Sequence, residues 1–295
     1  RSNWMPTQIN APLNTSFQSN GGFTSKLFGK KFGGTFGIMY NRSFRNLDLL
    51  NRANVIDENT YEVSIVSSYN DRKYQQEISA GALGSVSLQL NSFNKISVKS
   101  ILNINSSNSV SQRNGEDFSR QDQLKGSEFT FKQNTFFTVQ ANGEHRLIKP
   151  LTFKWYGAFN ILDGHIPDQR RILYSKEAGT QHPYRLLISN TLSQQSGSRI
   201  YQSLSDYIYT AGGDLSYKFK WLEQNQTLKG GYMLQVKDRL YDAKLFANYL
   251  PLDNDALRLL PADQIFLPEN FGDGTANKFA FDAIKENTFR YLANT

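Results

Sequence analysis

Residues 207–236 constrain the fold more than any other stretch, because their polarity alternates with a period of two. The odd-numbered positions from Tyr207 to Trp221 are apolar, aromatic or small, whereas the even-numbered positions from Thr210 to Lys220 are polar or glycine. From Leu228 to Val236 the apolar residues return on even-numbered positions. Such alternation predicts β-strands, and the polar break between the two runs predicts a hairpin turn. The first run is much longer than the five or six residues of an ordinary soluble strand.

The same alternation recurs along the chain and predicts about eight strands in four hairpins. The hairpins cover about residues 17–44, 78–104, 129–161 and 207–236. We expect short turns of four to six residues within the hairpins, and long polar loops at about 45–73, 106–126, 164–205 and 238–295. Short connections that alternate with long ones are typical of outer-membrane barrels, whose turns are short on one side of the bilayer and long on the other. The predicted fold class is therefore all-β, an antiparallel transmembrane β-barrel.

The bulk composition is compatible with this prediction. The 295 residues are 39% hydrophobic with a mean hydropathy of −0.53, which suits a barrel because only alternate residues of its strands face lipid. No run approaches 18 apolar residues, so a transmembrane helix is excluded. The absence of cysteine removes disulfides and thiolate metal sites. The net charge of +7 is spread along the chain without a recognition motif, so we expect no nucleic-acid partner.

A barrel has one face toward lipid and one toward its lumen, and this divides the side chains into two sets. The lumen-facing set contains the charged residues of the alternating runs: Lys99, Lys132, Lys154, Asp214, Lys218, Lys220 and Lys229. A second set contains aromatic residues near the ends of the predicted strands, where interfacial girdles would lie: Tyr40, Phe93, Trp155, Tyr207, Phe219 and Trp221. Ordinary cross-strand packing of aromatics is the alternative reading of the second set.

Several segments resemble a known family. NW followed by PLNTSFQ, the Phe-rich hairpin around KLFG, NGEHRL with LTFKWYGAFN, and DQRRILYS are similar to TonB-dependent outer-membrane receptors of the SusC-like group of Bacteroidetes. The resemblance implies a 22-stranded barrel, of which residues 1–295 are a segment without the plug domain. It also implies import of a bulky nutrient, such as a glycan, peptide or metal chelate. The implied partners are outer-membrane lipid, the TonB complex acting through a plug, and a surface lipoprotein lid as a further candidate. Arg1 and the missing leader lead us to expect a mature protein or a fragment.

No residue pattern indicates catalysis, so we expect neither an enzyme nor a cofactor. HExxH, GxSxG and Walker motifs are absent. His165 and His182 share one predicted loop, but two imidazoles alone are weak evidence for a metal site, and we expect none. The GDG at 272–274 predicts a turn. Aromatic and arginine residues of the predicted loops are weak candidates for ligand capture: Arg170, Arg171, Tyr174, Tyr184, Arg185 and Tyr201.

Two other readings stay open at this stage. One is a small, complete eight-stranded barrel of the OmpA type with a structural or adhesive role. Against it, nearly sixty residues follow the last predicted strand. The other is a secreted β-sandwich that binds glycans, which would need no detergent to stay in solution.

Overall fold

A computed structural model describes residues 3–56, 58–272 and 277–295, and it contains one large antiparallel sheet. Its strands are β1 (Thr15–Leu27), β2 (Lys30–Ile56), β3 (Val63–Asn91), β4 (Asn94–Asp117), β5 (Asp122–Ile148), β6 (Leu151–Glu177), β7 (Arg185–Leu186), β8 (Ser198–Trp221), β9 (Gln224–Tyr249) and β10 (Ala280–Asn294). Nine of them follow chain order as a continuous meander, and β7 pairs only with β6. A four-residue helix, α1 (Asp255–Arg258), and a 3₁₀ turn at Pro268–Asn270 lie between β9 and β10. No helix in the described residues is long and apolar enough to span a membrane.

The antiparallel all-β prediction is confirmed, but the strands are longer and more numerous than the alternation indicates. The described residues form ten strands instead of about eight. The segments expected as loops at 45–73, 106–126 and 164–205 are mostly strand, and both ends of the segment 238–295 are strand. The backbone ladder continues where polarity ceases to alternate, because neighbouring strands satisfy its hydrogen bonds. Polar and charged cross-strand pairs stand there in place of apolar pairs. Arg72 with Asp48 is one example. The last strand, β10, was missed for the same reason.

The connections are sorted between the two ends of the sheet. At one end the turns contain two residues, at 28–29, 92–93, 149–150 and 222–223, which is shorter than expected. At the other end the connections cover 57–62, 118–121, 178–197 and 250–279. Phe28 and Gly29 have positive φ, as do Leu222 and Glu223, which gives these turns the twist that tight hairpins favour. Residues 273–274 of the GDG tripeptide lie outside the described residues.

The strand register gives the sheet two chemically distinct faces near the two-residue turns. One face, here called the belt face, carries exposed apolar side chains from strand after strand, including Phe23, Phe36, Val86, Val98, Leu215 and Leu228. The opposite face, here called the polar face, carries mainly Ser, Thr, Asn, Gln and Lys, together with a few exposed apolar side chains: Met39, Leu83 and Ile101. Because side chains alternate across a strand, the register between bulges keeps each set on its own side.

The main hydrophobic core lies at the far end of the sheet, within and beside the long connections. It contains Trp4, Ile172, Tyr174, Leu186, Leu250, Ile265 and Phe279. The Trp4 ring lies 4.8 Å from that of Phe266, between ring centroids, so residues near the start of the chain pack on the connection between β9 and β10. This part of the molecule, here called the loop layer, is therefore packed like a small globular domain.

Candidate binding cleft on the polar face

Beyond the belt, the polar face forms a cavity of about 430 Å³. Four neighbouring strands supply its polar lining, with β3, β4, β5 and β6 contributing in turn: Asp71, Lys73, Ser109, Ser111, Arg113, Ser127, Glu128, Thr130, Gln169 and Arg171. The register pairs Asp71 with Arg113 and Lys73 with Ser111, and Glu128 with Arg171. Cross-strand neighbours on one face lie close enough to interact directly, so the sheet itself assembles these groups.

The first charged pair of the cleft joins Asp71 to Arg113 by two hydrogen bonds. Arg113 donates from Nε to Oδ1 over 2.8 Å and from a terminal nitrogen to Oδ2 over 2.7 Å. Its guanidinium lies over the Tyr69 ring, 4.6 Å from the centroid. The hydrogen bond to Asp71 raises the pKa of Arg113, and burial raises the pKa of the Tyr69 phenol. This bidentate geometry holds both ions in place.

The second charged pair joins Glu128 to Arg171. Arg171 Nε donates to Glu128 Oε2 over 2.7 Å, and Gln169 donates to Oε1 of the same carboxylate over 2.9 Å.

A glycine, Gly126, lies opposite Arg113, and a Cβ there would collide with the backbone of Ile172. The close approach of β5 and β6 in the cleft thus requires glycine at this position.

Lys73 differs from these arginines because its ammonium group makes no ion pair with any residue that the structure describes. Its register partners on the two neighbouring strands are Ser111 and Leu47. Around it lie two carboxylates, each already engaged by an arginine, and the hydroxyl groups of Ser109, Ser111 and Thr130. The cleft therefore offers one uncompensated cation and several hydroxyls, a set suited to binding a polar solute.

The expected lumen-facing charges share one face of the sheet. The register links Lys99 to Gln140, Glu144 to Lys154, Lys154 to Asp214 and Ser216 to Lys229. Lys132, Lys218 and Lys220 fall on the same side by the period-two rule. Lys154 also forms an ion pair with Glu144 at 3.2 Å. That this face borders a lumen stays a prediction.

The expected girdle aromatics lie on the belt face or in a turn. Tyr40, Trp155, Tyr207, Phe219 and Trp221 belong to the belt-face register, whereas Phe93 lies in the turn between β3 and β4. The Trp155 indole covers Gly143 and donates to His145 Nε2 over 3.0 Å. Their role at a membrane interface stays a prediction.

The six ligand-capture candidates are not brought together. Arg171 lines the cleft, whereas Arg170 and Tyr201 follow the belt-face register beyond the belt. The other three belong to the loop layer. Tyr174 donates to the Leu260 carbonyl over 3.0 Å, Tyr184 lies beneath Lys125 and Lys176, and Arg185 pairs with Asp255.

Burial raises the pKa of the Tyr174 phenol well above its ordinary value. This residue, Tyr184 and Arg185 contact other parts of the loop layer, and their role in ligand capture stays a prediction. His165 and His182 are also separated: His165 lies on β6 and pairs with Gln133 of β5, and His182 lies near Glu177. Within 3–56, 58–272 and 277–295, no group of three or more His, Cys, Asp or Glu residues could hold a metal ion.

Most of the cleft was missed because its residues lie in segments read as polar loops. Asp71 and Lys73 belong to the expected loop 45–73, and Ser109, Ser111 and Arg113 to 106–126. Side chains on both faces of these segments are mostly polar or charged, so no alternation of polarity marks them as strands.

Comparisons with known proteins add no family to this description. A scan against protein-family models, a search of curated proteins and a search of solved structures each find no match to this chain.

Proposed function

We propose that this chain is a portion of an outer-membrane β-barrel that imports a bulky polar nutrient with energy from a TonB complex. The observation that carries the proposal is the belt face, where large apolar side chains stand exposed across adjacent strands. Tyr232, for example, keeps 76% of its surface exposed and Leu228 keeps 67%. Soluble monomers rarely expose continuous apolar patches beyond a few hundred Å², whereas a barrel in lipid requires such a band.

The amount of exposed surface supports a membrane location. The chain has a solvent-accessible surface of 19203 Å², whereas a compact soluble protein of 33.6 kDa exposes about 12,700 Å². No second layer covers the belt face within the described residues, and the core is confined to the loop layer. A soluble β-sandwich would bury that face against a second sheet, so the glycan-binding sandwich is disfavoured.

The height of the belt fits a bilayer. On β8 the belt runs from Tyr207 to Trp221, which corresponds to about 46 Å along the strand. A strand tilt of about 40° reduces this to about 35 Å across the membrane, close to the hydrocarbon thickness of about 30 Å. The aromatic residues at both ends of this interval would lie at the two interfaces.

The polar face would then border the water-filled interior. A charged side chain in water needs no counter-ion from the protein, which accounts for the exposed lysines at Lys99, Lys218 and Lys229. The cleft would lie along the route of the solute, on the outer side of the membrane if the two-residue turns face the periplasm. A plug that couples the barrel to the TonB complex and a surface lipoprotein lid would be the protein partners.

The function can be tested by uptake in the bacterium that makes the protein. Deletion of the β8–β9 hairpin should abolish growth on one bulky solute in a panel of sole nutrients. A strain lacking TonB should show the same loss. A matched control strain carries Leu222→Asn and Glu223→Gly, which keeps the hairpin and should grow normally. Unchanged growth of the deletion strain on every solute would contradict the import function.

A further inference from the structure

We propose that the cleft binds the anionic group of its solute, a carboxylate or a phosphate, and that Lys73 supplies the charge. The inference rests on the proposed function only for the source of the solute. Binding itself depends on the arrangement of β3, β4, β5 and β6.

The charges of the cleft leave one cation available. Arg113 directs its Nε–H group and one terminal nitrogen at Asp71. Arg171 directs the same two groups at Glu128. Gln169 occupies the second oxygen of Glu128. Two carboxylates therefore neutralise two guanidiniums, and the ammonium group of Lys73 remains as the net charge. An anion entering the cleft gains this attraction, while the repulsion from both carboxylates is offset by their arginines.

The surroundings of Lys73 favour binding over simple solvation. The side chain is half-buried on the wall of the cavity. Hydroxyl groups of Ser111 on β4 and Thr130 on β5 line the same cavity and can donate to an oxyanion bound there, because hydroxyls turn to suit their partners. Charge-assisted hydrogen bonds in partly desolvated sites are the stronger kind.

Other lysines of the polar face provide the comparison. Lys99, Lys132, Lys218 and Lys220 are exposed, none of them lines this cavity, and Lys154 is engaged by Glu144. Among these residues only Lys73 combines a cavity, neighbouring hydroxyls and freedom from an ion pair. Lys99 is a suitable control because it shares the face but lies near the two-residue turns.

Calorimetry on the whole chain in detergent can test the inference with three disaccharide probes. Cellobiose is neutral, digalacturonate carries carboxylates, and trehalose 6-phosphate carries a phosphate. We expect at least one anionic probe to bind about tenfold or more tightly than cellobiose, which is the effect of one charge-assisted hydrogen bond. The preference should weaken at high salt, and the ratio between the two anionic probes identifies the group preferred.

Three variants separate the charge from the fold. Lys73→Gln should remove the preference for the anionic probes, whereas Lys73→Arg and Lys99→Gln should retain it. Retention by Lys73→Arg shows that position 73 tolerates substitution when charge is kept. The inference is overturned if the unaltered protein binds no anionic probe more tightly than cellobiose, or if Lys73→Gln keeps the preference.

The outcome is distinguishable from that of the uptake test. If the anionic probes bind preferentially but the uptake test fails, the anion site is supported and the import function is contradicted. A protein that imports a solute without showing this preference recognises the solute elsewhere.

Discussion

Along β3 the residues from Ile78 to Leu90 place apolar side chains on the belt face and mostly serine and glutamine on the polar face. The residues from Ser67 to Gln76 carry polar, charged or tyrosine side chains on both faces. The backbone ladder is the same in both halves. The difference is what surrounds the strand, which we infer to be lipid and water in the first half and water on both sides in the second. A strand thus continues wherever its neighbours satisfy the backbone, whatever its polarity.

The same comparison applies to packing. The belt half of the sheet has almost no buried side chains, whereas the loop layer contains most of the apolar core. If lipid covers the belt face, a substitution in the loop layer should destabilise that layer alone. A substitution on the belt face should instead change the stability of the protein in the membrane. The predictions that follow test this separation.

The largest effect is expected for Trp4→Ala, because Trp4 is buried among the residues of the loop layer. Removing a buried Trp side chain typically costs about 3 kcal/mol or more. Hydrogen exchange should accelerate at the amides of Leu250 and Phe279, which are bonded within this layer, and stay slow in the belt. The half-exposed neighbour Met5 gives the control Met5→Ala. Equal acceleration in the belt amides would contradict the separation.

A charge on the belt face should cost nearly as much. Val86→Arg places a guanidinium among the apolar side chains of the belt face. If that face meets lipid, as we propose, we expect a loss of about 2 to 4 kcal/mol in the free energy of unfolding from phospholipid vesicles. The matched control is Ser87→Arg, which puts the same group on the polar face and should cost under about 1 kcal/mol. If both substitutions lower the free energy of unfolding equally, the two faces lie in the same solvent.

Asp206 tests the polar face at a buried position. It is almost fully buried, accepts two hydrogen bonds of 2.6 Å from Arg239 and lies 3.3 Å from Lys237. Asp206→Asn leaves both cations without their counter-ion, and we expect a loss of about 2 kcal/mol, less than for a fully buried pair because the cations are partly exposed. Asp48→Asn removes the exposed pair with Arg72 and should cost under about 1 kcal/mol. Urea unfolding of both variants decides the comparison.

The smallest effect concerns pH and the loop layer. Because burial raises the pKa of Tyr174, the folded state keeps its phenol proton when the unfolded chain, with a pKa near 10, releases it. The contribution to stability is complete below about pH 10 and falls above it by up to about 1.4 kcal/mol per pH unit.

Trp4 fluorescence in a Trp155→Phe, Trp221→Phe background can follow the urea unfolding of the loop layer at pH 9 and pH 11. The difference in stability between these two pH values should shrink in Tyr174→Phe. If the free energy of unfolding differs as much between pH 9 and pH 11 in Tyr174→Phe as in the unaltered protein, groups other than Tyr174 cause the pH effect.

The belt half could be predicted from the sequence, and the far half could not. In the belt half apolar and polar residues alternate with a period of two, so the hairpin at 207–236 and the shared face of the lysines follow from the residues alone. Near Asp71 and Arg113 nothing apolar marks either face. The polar pairs there join distant residues, since Asp71 and Arg113 lie 42 positions apart in the chain. The cleft is missed for this reason, since its members meet only once the register is known.

Two spin labels in phospholipid bilayers test the central claim most directly. A nitroxide replacing Leu215 should collide mainly with oxygen dissolved in the hydrocarbon, and a nitroxide replacing Lys218 mainly with a water-soluble nickel complex. If both labels collide equally with the nickel complex, the belt face does not meet lipid, and the membrane barrel with its import function is contradicted.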